Sequence, residues 1–545
     1  PADPAVVTSP GAASRVVVTY APAGTIDLVI DAMNVTQVVQ SPTDTVPLVA
    51  GRDGLVRVFV RATGPNSAAP AVRLRLFHGS ASVPVRTWTL PAPRPGVPTT
   101  LLEDSLGASW NQLVPGALLV PGARLLAEVD PEDAVPEYSE SDNLFPRSGT
   151  PRALDVRIVP TYALRLVPVR TARNGRTGDV TVASRDQFLA TFRKLYPLAA
   201  VDAGVRATYT TTTRDTLEPD NANEAWFTVL SEVNALRAAE GFGGTYYGVV
   251  KVGYGVGIGG MGYVPGRAAM GWDRLPSGDD VAAHELGHTL SLQHAPCGAP
   301  DVSDPLYPFA DGRTGIVGVD LATMTSRPAT DNDIMGYCRS DWIGAFHYLK
   351  VLRYRAGRGS LALATAPEPG LLVWGRVHEG RVELEPAFEV VAPPSLPEGR
   401  GPYALELADA AGRVRWRAAF AGDPVSHAAS DRRHFAFVIP RRVTGEDVAA
   451  VRVRGTGGSV ERRSVRAAAL RPAPAPHVRA TAGADRVRLE WDAAASPMAL
   501  VRDAASGAIV SFARGGAVEL EAAPRTLDVV LSDGARSRAV RVEAR

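Results

Sequence analysis

Between Ser277 and Pro296 the spacing of the histidines leaves the backbone little choice of path if these side chains are to act together. His284 and His288 are four residues apart, so on a helix they project from one face, about 6 Å apart along the axis. Ser277, Asp279 or Asp280 is placed to cap the start of that helix. On a continued helix His294 would lie about 9 Å beyond His288 and well around the cylinder. Pro296 cannot extend a helix, and it biases Ala295 away from helical angles. The chain is therefore expected to turn back after His288 and bring His294 beside the first two imidazoles.

Imidazoles gathered in this way can reach one zinc ion at about 2.0–2.1 Å, and Glu285 places a carboxylate directly beside them. Cys297 is an alternative third ligand in place of His294. The remaining histidines, His78, His347, His378, His427, His434 and His477, have no ligand spacing and read as surface or packing residues. Asp301, Asp304, Asp331, Asp333 and Asp341 read either as carboxylates that orient the imidazoles or as solvated loop residues.

A chain of 545 residues exceeds what one hydrophobic core usually serves. Residues 1–150 read as an Ig-like β-sandwich of short β-branched strands, among them Arg15–Tyr20 and Leu55–Val60, separated by Gly, Pro and Asp turns. Its acidic end, Ala127–Glu132 and Glu137–Asn143, resembles the closing hairpin of bacterial adhesion-type Ig-like domains and is a candidate calcium site. Residues 155–357 alternate strands and helices: a strand at Tyr162–Val169, helices near 184–196 and 223–240, and a strand at Tyr246–Val252. In the second helix Trp226, Val229, Leu230, Val233 and Leu236 mark one buried face. Strand alternation returns in 365–466, read as a further sandwich, and in 477–545, read as a small fibronectin-like domain, with Arg471–Pro476 as a semi-rigid linker.

The 58 basic and 57 acidic residues leave a formal net charge of +1. No global field draws this chain to nucleic acid or to an anionic membrane. No apolar run is long enough to span a bilayer. Pro1–Pro4 lacks the basic and apolar regions of a signal peptide, so an exported chain is expected to have shed its signal already.

At His284, Glu285, His288 and His294 the sequence resembles the metzincin clan of zinc endopeptidases, whose motif is H-E-x-x-H-x-x-G-x-x-H. Ser291 stands where that motif has Gly. Asp333-Ile334-Met335-Gly336-Tyr337-Cys338 resembles the Met-turn of the clan. The resemblance implies an α/β zinc peptidase domain flanked by all-β sandwiches, with Met335 as the floor under the metal and Tyr337 near the zinc or the reaction's oxyanion. It also implies that the Gly-rich run 253–262 forms the upper rim of a cleft that pairs with an extended substrate; a loop without function is the competing reading. Cys297 and Cys338 lie three residues after His294 and Met335, and read as one disulfide tying the two motifs together, which implies an oxidising compartment.

The expected activity is zinc-dependent hydrolysis of peptide bonds in extracellular proteins or glycoproteins, by a secreted bacterial enzyme with Glu285 as general base. The alternative is an extracellular adhesin or binding protein in which a zinc-stabilised, peptidase-like domain is secondary. Oligomeric state is left open by the sequence.

Overall fold

The computed structural model describes residues 25–544 except 173–174, 214, 222, 255–256, 301, 339–341, 358–365, 429–430, 446, 465–476 and 522–525, preceded by the strand pair Val6–Val7 and Val16–Val17. The linker expected at 471–476, together with Asp301 and Asp341, lies outside the described residues. Strands dominate, and helices are few.

The first unit is a sandwich of two antiparallel sheets. One holds Leu28–Thr36, Gly54–Ala62 and Trp110–Val114; the other is built on Val72–His78, Arg86–Leu90 and Ala123–Val129. Leu28, Met33, Val58, Leu74, Trp110 and Leu125 fill the space between them. The acidic hairpin spends its carboxylates on the protein itself. Glu137 accepts the backbone N–H of Leu28 at 2.6 Å and the Asn143 amide at 3.2 Å, and Asp130 accepts the N–H of Val135 at 2.7 Å. These oxygens close the hairpin, and among the described residues they form no group of metal-binding spacing.

The next segment builds a mainly parallel sheet. Tyr162–Arg170 lies between Val201–Val205 and Thr245–Val250, and Thr245–Val250 pairs with Ala268–Trp272. The short strand Gly260–Gly262 runs antiparallel to Ala268–Trp272 at the edge. Period-2 alternation sends Tyr246, Val250, Ala268 and Met270 to one face and Tyr247, Val249 and Ala269 to the other. The helix Ala225–Ala239 packs on the first face, and the helix Ser277–Thr289 on the second.

Ala225–Ala239 departs from its expected single buried face, because Phe227, Ala235 and Ala238 are buried as well. The reason is a second cover. Leu372, Trp374, Phe388 and Val438, from the sheet built on Glu368–His378 and Arg433–Pro440, close over its outer side. A helix covered on both faces must be apolar nearly all round. Glu232 is accommodated there by accepting from the Tyr209 hydroxyl at 2.7 Å and the Thr212 N–H at 3.2 Å.

The third unit adds a second sheet, Val414–Phe420, Tyr403–Ala408, Ala450–Gly455 and Gly458–Arg463, across a core that includes Leu405, Phe420, Phe435 and Val451. In the last segment the strands Met498–Asp503, Ile509–Arg514, Thr526–Ser532 and Ser537–Glu543 continue the parallel sheet, joined to it where Thr210 pairs with Ser511, to make ten strands among the described residues. Met498, Leu500 and Phe512 then enter the same core as Trp226 and Trp374. No helix among the described residues is long and apolar enough to cross a membrane.

Candidate metal centre

The helix that carries His284 and His288 begins at Ser277. Asp279 and Asp280 lie in its first turn, where their charge suits the positive end of the helix dipole. No side chain caps it: Asp279 and Asp280 instead accept from the Thr191 hydroxyl at 3.0 and 3.1 Å, and Ser277 bonds back to the Arg274 carbonyl.

The helix ends in a Schellman motif. Ser291 N–H donates to His288 O at 2.9 Å and Leu292 N–H to Gly287 O at 3.1 Å, with Ser291 in the left-handed region at φ 77°. This reversal swings His294 back beside the helix, as the spacing and Pro296 required. Ser291 takes the conformation that usually falls to glycine.

Each imidazole is oriented by a backbone carbonyl. Nδ1 of His284 bonds Ile334 O at 2.9 Å, Nδ1 of His288 bonds Leu292 O at 2.8 Å, and Nδ1 of His294 bonds Val302 O at 3.0 Å. A carbonyl accepts only, so Nδ1 carries the proton in all three rings and Nε2 presents its lone pair. Nε2 of His288 and His294 then lie 3.1 Å apart, both as acceptors, and the buried Nε2 of His284 has no hydrogen-bond partner. Lone pairs that converge in this way, with no donor on His284 Nε2 and none between His288 and His294, fit a cation.

Burial lowers His284 to about 4, and the neighbouring imidazole His427 is among the next causes. Burial and His427 hold His294 at about 3, and burial with the other imidazoles pushes His288 well below its ordinary value. All three are neutral at pH 7, the form that binds metal.

Glu285 is buried beside the triad, and loss of solvent pushes its carboxyl up to about 7. The edge strand presses directly on it. A Cβ at Gly260 would stand 2.5 Å from Glu285 Cγ, and one at Gly262 2.9 Å from the Glu285 carbonyl. Gly260 and Gly262 are thus needed for close approach of strand to helix.

Met335 is fully buried under the helix, where a Cβ at Gly287 would lie 2.7 Å from its Sδ, and Tyr196 Oη reaches the same sulfur at 3.6 Å. Cys297 and Cys338 form a disulfide with Cα atoms 5.4 Å apart, so Cys297 is not available as a ligand. Two backbone bonds, Ala295 N–H to Met335 O and Tyr337 N–H to Cys297 O, run alongside that bridge. The Tyr337 hydroxyl stands 3.2 Å from His294 Nε2.

Asp333 and Asp304 are not solvated loop residues. Asp333 is fully buried and accepts from Met335 N–H, Gly344 N–H and His347 Nδ1 at 2.8–2.9 Å, which fixes the turn that presents Ile334 O to His284. Asp304 is buried against Lys350 Nζ at 2.6 Å. The carbonyls of Ile334, Leu292 and Val302, rather than these carboxylates, orient the ligand rings.

Sequence reasoning missed His427. It comes from the segment after the strand pair Asp423–Pro424, and one nitrogen of each of His284, His288, His294 and His427 lies within 4.8 Å of the others. Its Nε2 is 3.1 Å from Glu285 Oε1, and its Nδ1 is in hydrogen-bond contact with the Tyr337 hydroxyl. Nothing local marks it, since it stands 133 residues beyond His294 in a stretch with no other ligand-type spacing.

No protein-family model and no curated protein matches this chain. Among solved structures, it is similar to the CARDB domain of a Pyrococcus furiosus protein crystallised with di-metal ions, at 17% identity over 25% of this chain and 96% of that one, with a TM-score of 0.15. It is also similar to a beta-glycosidase from Bacteroides vulgatus, at 9% identity over 94% of this chain and 80% of that one, with a TM-score of 0.14. Likenesses this weak leave the function to be read from the site.

Proposed function

We propose that the protein is a secreted zinc-dependent endopeptidase. The observation that carries this reading is the set of three neutral imidazoles converging through Nε2, each held by a carbonyl at Nδ1, with the buried carboxylate of Glu285 beside them. Two nitrogen ligands at helix spacing and a third brought back by the turn, with a neighbouring glutamate, suit zinc. An ion in this place supplies Lewis acidity, polarising a carbonyl and acidifying water.

The chain's own residues divide the remaining work. Glu285, raised to about 7, is poised to take a proton from water at a carboxylate oxygen and to return it to the leaving nitrogen. The Tyr337 hydroxyl, 3.2 Å from His294 Nε2, is placed to donate to the developing oxyanion. The edge strand Gly260–Gly262, continued by Tyr263 and Val264, carries backbone groups that an extended peptide could pair with in place of Pro424–Ser426, which bond them in this structure. A cavity of about 240 Å³ beside His288 and His294 is walled on one side by Val264 and Val302 and on the other by Pro424–Ala428.

The disulfide and the flanking β units support export and a protein or glycoprotein substrate outside the cell. A second reading, a binding protein with a purely structural metal, is favoured by His427: four protein ligands are typical of closed, structural zinc sites. Glu285→Gln separates the two. In the endopeptidase the variant keeps its metal while hydrolysis of casein falls by about 10²–10⁴-fold; unchanged hydrolysis contradicts the assignment of Glu285.

A further inference from the structure

The segment that delivers His427 does more than place a ring. It runs antiparallel to the cleft's edge strand and pairs with it: Val425 bridges Tyr263, Val264 N–H donates to Pro424 O at 3.0 Å, and Ser426 N–H donates to Gly262 O at 2.8 Å. The Ser426 hydroxyl accepts the Gly262 N–H at 2.8 Å and lies 3.4 Å from Glu285 Oε2. These are the backbone groups that an extended peptide would use. His427 follows, in contact with both Glu285 and Tyr337. One stretch of six residues thus takes up the strand edge, the carboxylate, the tyrosine hydroxyl and the fourth corner of the histidine cluster.

We propose that residues Asp423–Ala428 are a built-in stand-in for the substrate, and that His427, giving up one of its contacts with Glu285 and Tyr337 to the metal, completes a closed four-histidine centre which keeps the enzyme latent. The inference rests on the endopeptidase reading. A catalytic zinc site needs an open position, and four protein ligands remove it. Glu285 has no task in a structural site, yet here it is buried and capped by the same segment.

On its far side the segment is held by its own unit, where Asp423 pairs with His434 and Pro424 with Arg433. The hairpin therefore bridges the third unit to the cleft. Opening requires it to leave the edge strand, by displacement or by cleavage of the hairpin.

The test uses the full chain loaded with Co(II), whose visible spectrum reads the coordination shell, in wild type, His427→Ala and Ser426→Pro. Ser426→Pro removes both the N–H that bonds Gly262 O and the hydroxyl that accepts the Gly262 N–H, so it frees the segment from the edge strand while the chain keeps its His427 imidazole, and it serves if His427→Ala does not fold. Wild type is expected to hold one cobalt whose spectrum does not move with acetohydroxamate. In His427→Ala the metal is retained, the spectrum moves on adding acetohydroxamate, and casein hydrolysis by the zinc-loaded form rises by about tenfold or more, as the competent fraction grows. Ser426→Pro is expected to respond to acetohydroxamate in the same direction. A wild-type spectrum that already responds, or hydrolysis that falls in His427→Ala, overturns latency and leaves the metal centre standing. A wild-type chain that takes up no cobalt overturns the metal reading, and this inference with it.

Discussion

Ser291 shows how much local geometry the site demands of single residues. At φ 77° a side chain other than glycine costs about 1–2 kcal/mol, and the Schellman bonds it completes are what turn His294 toward His288. Ser291→Gly removes that cost and gives part of it back through the freer unfolded chain. We expect a net gain of about 0.5–1 kcal/mol, seen as a rise of about 0.5–1 °C in Tm with metal content unchanged; a fall in Tm contradicts the strain at this position. The triad and Glu285 were legible in the sequence because their geometry is local: four residues along a helix, then six across a turn. Asp333 and Asp304 were not, since the same carboxylates in a loop are either solvated or buried depending on whether Lys350, His347 and the turn's own N–H groups come to meet them.

At the scale of elements, the site is two short loops pinned against one helix. The disulfide Cys297–Cys338 closes a loop of 41 residues, worth about 4 kcal/mol in the chain-entropy model. It joins the segment after His294 to the turn that supplies Met335 and Tyr337. Replacing both cysteines by serine is expected to lower stability by up to about 4 kcal/mol and to weaken metal retention against a chelator, because His294 loses its anchor. Unchanged retention in the double variant means that the backbone bonds Ala295–Met335 and Tyr337–Cys297 hold the turn alone. In sequence the Gly-rich run reads as the rim of a substrate cleft, whereas its Gly260 and Gly262 serve the close approach of strand to helix. That its edge is already occupied was not legible, because the strand that fills it arrives from another unit, and pairing between distant segments leaves no periodic mark on either.

At the scale of the whole molecule, the units share structure instead of hanging as separate beads. A sheet crosses from Tyr209–Thr210 into Ile509–Arg514, and the helix Ala225–Ala239 is buried between two units. The seam carries a titratable group. His434, from the third unit, is buried with Nδ1 2.8 Å from the Tyr263 hydroxyl and its ring edge-on to Phe227. Burial first, and then the guanidinium groups of Arg376 and Arg432, push it well below its ordinary value of 6.5. The folded protein therefore keeps His434 neutral while the unfolded chain protonates it, so stability present above pH 6.5 is lost as pH falls below it, by about 1.4 kcal/mol per unit. Melting curves between pH 7 and 5 should fall less steeply in His434→Gln than in wild type; parallel curves contradict a neutral His434 in the seam. Strands and unit order could be read from alternation and turns, whereas the shared core could not: Leu372, Trp374 and Phe512 look in sequence like interior residues of their own sandwiches. We propose that His284, His288 and His294 hold one zinc ion. Metal content by mass spectrometry on purified wild type and His288→Ala tests it most directly. One zinc per chain in wild type and loss of it in the variant is the predicted result, and no zinc in wild type, or equal zinc in both, contradicts it.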